Sequence, residues 1–290
     1  MHLIFRLFLF IIIPLYGLGG QFLTIPFDAN EISIGSHPTI NQLSYLNPAL
    51  YSASSENPSF SCSRGSWLGD VSIASLNYNQ NMKGRTFYFG ARYSGLSDLE
   101  FRGEKPQDEP LAYFSSYGLS LKSGFSVKRE NIKYGIALSY VSMGIYTNIS
   151  SGLCIEFGSL INLKKDFRLG FSIQNIGKMS LLNDDSPKLP QRYLIGVSKL
   201  FNFLNVSNII YNSMEVNNIS QSLKYKYTIG NKFSWRQLDI LNGVSFSKNS
   251  NSISVGLGLN FKKYDITYGI NIGSHNIAVP HVISLRFDMP

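Results

Sequence analysis

The feature that most constrains this chain is a two-residue alternation that recurs from about residue 68 to its end. In 253–261, Ile253, Val255, Leu257, Leu259 and Phe261 alternate with Ser254, Gly256, Gly258 and Asn260. The same rhythm sets Leu153, Ile155, Phe157, Ile161 and Leu163 against Gly152, Cys154, Glu156, Gly158 and Asn162. It returns in 132–140, 166–175 and 263–273. Successive side chains of an extended strand point to opposite faces, so each segment has one bulky apolar face and one face of small or polar residues. A soluble sandwich would place long charged side chains on its second face. Here that face is nearly bare, so the question is what the apolar face touches.

Segments of this kind lie near 70–80, 85–95, 97–103, 114–128, 131–142, 151–163, 166–175, 191–201, 203–211, 220–230, 237–247, 252–262, 263–273 and 281–288. The main runs are about nine to twelve residues long, the length a tilted strand needs to cross bilayer hydrocarbon. Connections are tight at 163–166 and 262–263 and long and polar at 102–110 and 177–190, as in barrels with short turns at one end and longer loops at the other. Strands in lipid must pair every backbone polar group, which requires closure. The expected fold is therefore all-β: an antiparallel transmembrane β-barrel of about 12–14 strands. A secreted sandwich or soluble barrel is the weaker alternative.

Composition supports a charge-poor exterior. Only 15% of the 290 residues are charged, against roughly 25% in soluble domains, and 13% are aromatic. The mean hydropathy of −0.01 excludes a helical membrane protein. The net charge of +8 comes from Lys and Arg dispersed along the chain, without the basic stripe that nucleic acid requires, so no nucleic-acid partner is expected.

Three regions follow. Residues 1–20 carry Arg6, an apolar run from Leu7 to Tyr16, and small residues Gly17 and Gly19, the pattern of a cleaved secretory signal peptide. Residues 21–66 contain Pro26, Pro38, Pro48 and Pro58 and read as an irregular N-terminal segment without a useful strand, the segment that the family resemblance given below makes a plug. Within it, Asp28 and Glu31 have capping-box spacing before a short helix near 28–34. Residues 67–290 form the barrel. Cys62 and Cys154 are read as two small thiols, although export would permit a bridge between them.

No catalytic constellation is visible. His37, His275 and His281 stand in separate segments, and no metal-ligand spacing or GxSxG occurs. The expectation is a non-enzyme with no cofactor and no metal. Strand parity nominates lumen-facing charges at Arg92, Lys122, Lys133, Glu156, Arg168, Lys224, Lys226, Lys262, Asp265 and Arg286. Arg or Lys on a lipid face near the bilayer midplane costs about 2–4 kcal/mol, which favours the interior or a rim. Such charges either bridge to the plug or line a passage.

The segments "QFLTIPFDANEISIGS" and "SYLNPALYS", with the motif Asn47, Pro48 and Ala49 followed by Leu50, resemble the start of the PorV/PorQ family of outer-membrane barrels, related to FadL-type transporters. The resemblance continues through "SLNYNQNMKGRTFYFGARYSG", "YGIALSYVSMGIY", "GFSIQNIGK" and "LPQRYLIGVSKLF", and "HVISLRFDMP" resembles a closing strand recognised by barrel-assembly machinery. The resemblance implies a plug at or within the barrel and a role in type IX secretion. Its implied partners are outer-membrane lipid and secreted cargo proteins or secretion-system components, and its implied location is the outer membrane of a Gram-negative-type bacterium. The alternatives are a FadL-like channel for uptake of hydrophobic small molecules and a structural barrel without cargo.

Overall fold

The computed structural model describes residues 20–40, 46–51, 57–103, 108–183, 185–219, 222–274 and 278–289. The signal-peptide reading lies outside the described residues except for Gly20, and His275 lies outside them as well.

Fourteen antiparallel strands close into one barrel. They are β1 (Ser59–Ser66), β2 (Ser72–Met82), β3 (Arg85–Phe101), β4 (Ala112–Arg129), β5 (Ile132–Ile145), β6 (Asn148–Asn162) and β7 (Phe167–Met179). The second half is β8 (Gln191–Phe203), β9 (Val206–Ile219), β10 (Ser222–Trp235), β11 (Leu238–Ser247), β12 (Asn251–Phe261), β13 (Tyr264–Gly273) and β14 (His281–Asp288). Each strand pairs with its sequence neighbours, and β1 closes on β14 through a register running from Ser59 opposite Asp288 to Ser66 opposite His281. Among the described residues no helix is long and apolar enough to cross a membrane.

The alternation sorts as the barrel requires. On β12, Ile253 and Leu257 are 60% and 56% exposed on the outer wall, while Ser254 is 3% exposed inside. Leu153, Ile155 and Phe157 on β6, and Tyr134, Leu138 and Tyr140 on β5, likewise face outward. An outer wall of large apolar side chains around a polar, small-residue interior inverts the plan of a soluble domain and matches a lipid-facing barrel.

The ends differ. Connections such as 83–84, 130–131, 204–205, 236–237 and 262–263 are two-residue turns at one end, whereas the opposite, loop end carries the longest separations between strands, from β3 to β4, β7 to β8 and β13 to β14, beside the two-residue turn 146–147.

Three strand assignments need correction. The sequence reading places no strand in 21–66, yet β1 occupies Ser59–Ser66. Its inward Ser59, Ser61 and Ser63 are buried, and its outward residues include only Phe60 and Cys62 as apolar groups, so it lacks the bulky stripe that marks the others. The segments 85–95 and 97–103 are one strand, β3, because a bulge between Leu96 and Leu99 absorbs the break in alternation, with Asp98 at φ 59°. Finally, β9 runs to Ile219 rather than stopping near 211, where the adjacent Ile209 and Ile210 blur the parity.

Candidate functional site

The barrel interior holds its own N-terminal chain. One helix, α1 (Ala29–Ile34), begins at Asp28, whose carboxylate accepts from the Asn30 backbone N–H at 2.8 Å as an N-cap. Glu31 is turned to Arg192 and Ser36. Short 3₁₀ turns at Gly20–Thr24 and Pro48–Tyr51 flank this helix in sequence. Phe22, Phe27, Ile32, Ile34 and Leu46 are almost wholly buried, and they form the apolar clusters of the interior together with inward Val141, Met143, Cys154, Leu194 and Leu241.

The wall accommodates this segment through inward glycines. A Cβ on Gly118 of β4 would strike the Phe22 ring, one on Gly170 of β7 the Pro38 carbonyl, and one on Gly269 of β13 the Ala29 carbonyl. Gly230 on β10 and Gly256 on β12 are similarly pressed by Ile34 and Ser33. The small face of the alternation is thus shaped to the plug's backbone. Gly35, at φ +83°, ends α1 in a conformation that L side chains rarely adopt and lies against Thr228.

Asn47, Pro48 and Ala49 sit at the β5–β6 wall. The Asn47 amide donates to the Pro38 carbonyl at 2.8 Å and to the Ser159 carbonyl at 3.0 Å, and its own oxygen accepts from the Ala49 N–H at 3.0 Å. Pro48 and Ala49 press on Gly135, and Asn47 on Gly158. All three motif residues are buried.

The nominated charges fall into different places. Arg92, Lys122 and Glu156 are buried inside the barrel. Lys122 Nζ meets Glu156 Oε2 at 2.7 Å, while the Arg92 guanidinium lies 5.1 Å over the Phe27 ring of the plug. Lys133 and Arg168 are half-buried near the tight-turn end. Arg286 approaches Asp265 at 3.9 Å and Asp288 at 3.0 Å. Lys226 lies opposite Glu215 in the β9–β10 register at 3.9 Å, and Lys224 is exposed. Lys262 is a correction: it lies in the exposed turn between β12 and β13, because β12 ends at Phe261, so strand parity does not apply to it.

The densest charge cluster was not nominated. Arg192 on β8 donates to Glu215 on β9 at 2.6 and 3.0 Å and to the Ser36 hydroxyl at 2.8 Å, and lies 4.0 Å from Glu31. Ser213 donates to the Ser36 carbonyl at 2.7 Å. Parity alone would place Arg192 with inward Leu194, Gly196 and Ser198, but Glu215 falls beyond a β9 drawn only to 211. Burial raises the Glu31 carboxyl above the usual range, against the pull of Arg192 and Arg92. His37 stacks on Tyr211 at 5.2 Å, with its Nε2 donating to the Ile34 carbonyl at 2.7 Å. Burial lowers its pKa to about 3, leaving a neutral imidazole.

Above the plug, at the loop end, lies a pocket of about 310 Å³. Pro26, Glu31, Ile32 and Ser36 come from the plug, Trp67 and Phe246 form apolar walls, and Lys226 supplies a cation. Cys62 and Cys154 are free thiols. Among the described residues no group of His, Cys, Asp and Glu is placed to hold a metal ion.

No family model and no curated protein matches the chain by sequence. The fold is similar to solved FadL-type outer-membrane barrels. A deltaS2S3 mutant of the TodX monoaromatic hydrocarbon channel aligns at TM-score 0.66 and 10% identity over 91% of this chain and 99% of that one. The Pseudomonas putida toluene transporter TodX aligns at TM-score 0.65 and 12% identity over 91% and 98%. A Pseudomonas aeruginosa FadL homologue aligns at TM-score 0.59 and 10% identity over 91% and 99%.

Proposed function

We propose that the chain is a non-enzymatic outer-membrane barrel, closed by its own N-terminal segment, that supports the secretion of other proteins through contact with cargo or with secretion-system components. The observation that carries this reading is the filled lumen. Among the described residues, plug side chains including Phe22, Phe27, Ile32, Ile34, Leu46 and Leu50 are buried in the barrel and latched by Arg192 and Asn47, which leaves surfaces rather than an open bore for the work. The PorV/PorQ resemblance of the Asn47-Pro48-Ala49 region supports the same reading. So does the apolar outer wall, which suits an outer-membrane location after removal of residues 1–20 as a signal peptide. The domain division then becomes 1–20 leader, 21–58 plug and 59–290 barrel. Crosslinking in intact outer membranes followed by pull-down should recover secreted proteins or translocon subunits, and recovery of lipid-like ligands alone would overturn the assignment.

A second reading, uptake of small hydrophobic molecules, is favoured by the pocket over the plug and by the likeness to TodX, a toluene transporter. Apolar walls with a few polar groups are the usual make-up of a small-ligand site. The two readings differ in one measurement. Direct binding of a monoaromatic hydrocarbon, abolished by Trp67→Ala, is expected of uptake and not of a contact platform. Deleting residues 22–57, which spares β1, should raise conductance in planar bilayers under either reading.

A further inference from the structure

We propose that the outer wall of β4–β7 holds one anionic phospholipid of the leaflet at the tight-turn end, with an acyl chain in an aromatic groove and its phosphate on the basic turns beneath. The groove, of about 400 Å³, is lined by Phe125, Tyr134, Phe157 and Phe171. The register explains it. Ser159 lies between Tyr134 on one side and Phe171 on the other, so a small residue interrupts an otherwise bulky outer face. Gly135 and Gly158 contribute further lining without side chains. A hole of this shape in a lipid-facing wall is filled by hydrocarbon, because water gains no partners there.

The headgroup assignment rests on charge. The ends of these strands and their turns carry exposed Arg129, Lys164 and Lys165, with Lys128 beside them on the inward parity of β4, against exposed Glu130 and Asp166. Arg129 follows Phe125 by four residues on the same face, about 13 Å along the strand at roughly 3.3 Å per residue. Half of the approximately 30 Å hydrocarbon thickness is about 15 Å, so a chain in the groove brings its phosphate level with these cations. Among the described residues the other tight turns continue the bias with exposed Lys83, Arg236, Lys262 and Lys263, whereas at the loop end exposed Asp98, Glu100 and Asp185 are mixed with exposed Arg102, Lys178, Lys188 and Lys248. The excess of cations on the turns beneath the groove fits an anionic headgroup in that leaflet better than an acidic soluble protein, because the apolar groove continues directly from them.

The site lies behind the Asn47 motif. The Ser159 carbonyl that accepts from Asn47 belongs to the residue that forms the hole, so plug and lipid meet across a single thickness of backbone.

The proposal requires that the outer wall face lipid. Full-length protein, purified and delipidated, would be titrated with dioleoyl-phosphatidylglycerol or dioleoyl-phosphatidylcholine and read by native mass spectrometry. The expected result is one retained phosphatidylglycerol with at least ten-fold preference. R129Q/K164Q/K165Q should reduce retention to the phosphatidylcholine level, and Ser159→Phe should abolish it, with heat-modifiable gel mobility reporting folding for both variants. Glycerol phosphate should not compete. Full competition by it, no headgroup preference, or retention unaffected by Ser159→Phe would overturn the site. An acidic polypeptide displaced by the triple variant while lipid retention is unchanged would do the same. Failure of the protein to enter bilayers at all would instead defeat the membrane reading on which the site depends.

Discussion

The N-terminal segment is held in two places by different physics. At the β8–β10 wall, Glu31 and Ser36 meet Arg192, Glu215 and Lys226, an arrangement of buried charges whose desolvation is offset only while every partner is present. At the β5–β6 wall, Asn47, Pro48 and Ala49 fit against Gly135 and Gly158 with neutral hydrogen bonds, and shape does most of the holding. The first anchorage is therefore sensitive to loss of a partner and the second to added volume.

The largest expected effect is at the charged anchorage. Arg192→Ala leaves Glu215 with only the more distant Lys226 and strips Glu31 of its nearest cation, and should destabilise the barrel by about 3–5 kcal/mol in urea unfolding from micelles, with the double substitution of Arg192 and Glu215 to Met less harmful than the single one. If the single and double variants lose equal stability, the cluster is not coupled in the way its geometry implies. At the shape-held anchorage, Gly158→Val should cost about 1–3 kcal/mol through the clash with Asn47 and Pro48. The same variant should also raise single-channel conductance as the turn is pushed off the wall. Asn47→Ala should cost about 2 kcal/mol by stranding the Pro38 and Ser159 carbonyls, and protease protection of residues 21–58 would report the loosened segment.

Acid should act on the first anchorage through His37. Its folded pKa near 3 lies below the ordinary 6.5, so the unfolded chain binds the extra proton. Stability falls as pH drops from about 6.5 towards about 3, by at most roughly 1.4 kcal/mol per pH unit. Lys226 and Glu215 are the charges that act on this ring, with opposite signs. His37→Gln should flatten that part of the difference between variant and parent pH profiles, and an unchanged slope would show that protonation elsewhere controls acid sensitivity. The smallest effect is expected at Lys262, an exposed turn residue, where Lys262→Gln should change stability by no more than about 0.5 kcal/mol.

These contrasts show what was legible in the primary structure. Strands such as 253–261 were readable because an outer wall in lipid demands a bulky residue at every second position, and the small residues between them recorded an interior that must fit something close. Pro58 and the serines of β1 hid a strand, since a closing strand with a weak apolar face owes its place to hydrogen bonds with β14 and β2 rather than to its own pattern. Glu31 has the spacing of a capping residue, and only the fold turns it towards Arg192, which is 161 residues away along the chain (192 − 31).

The sequence by itself determined the two faces of each strand, the short and long connections, and the contrast between the strand-rich region and the proline-broken segment before it, because all of these follow from local backbone geometry and periodicity. Tertiary structure alone decided which glycines receive the plug, which buried charges become partners, and which wall carries a groove. Those depend on contacts between strands distant in sequence, brought into register only by closure of the barrel.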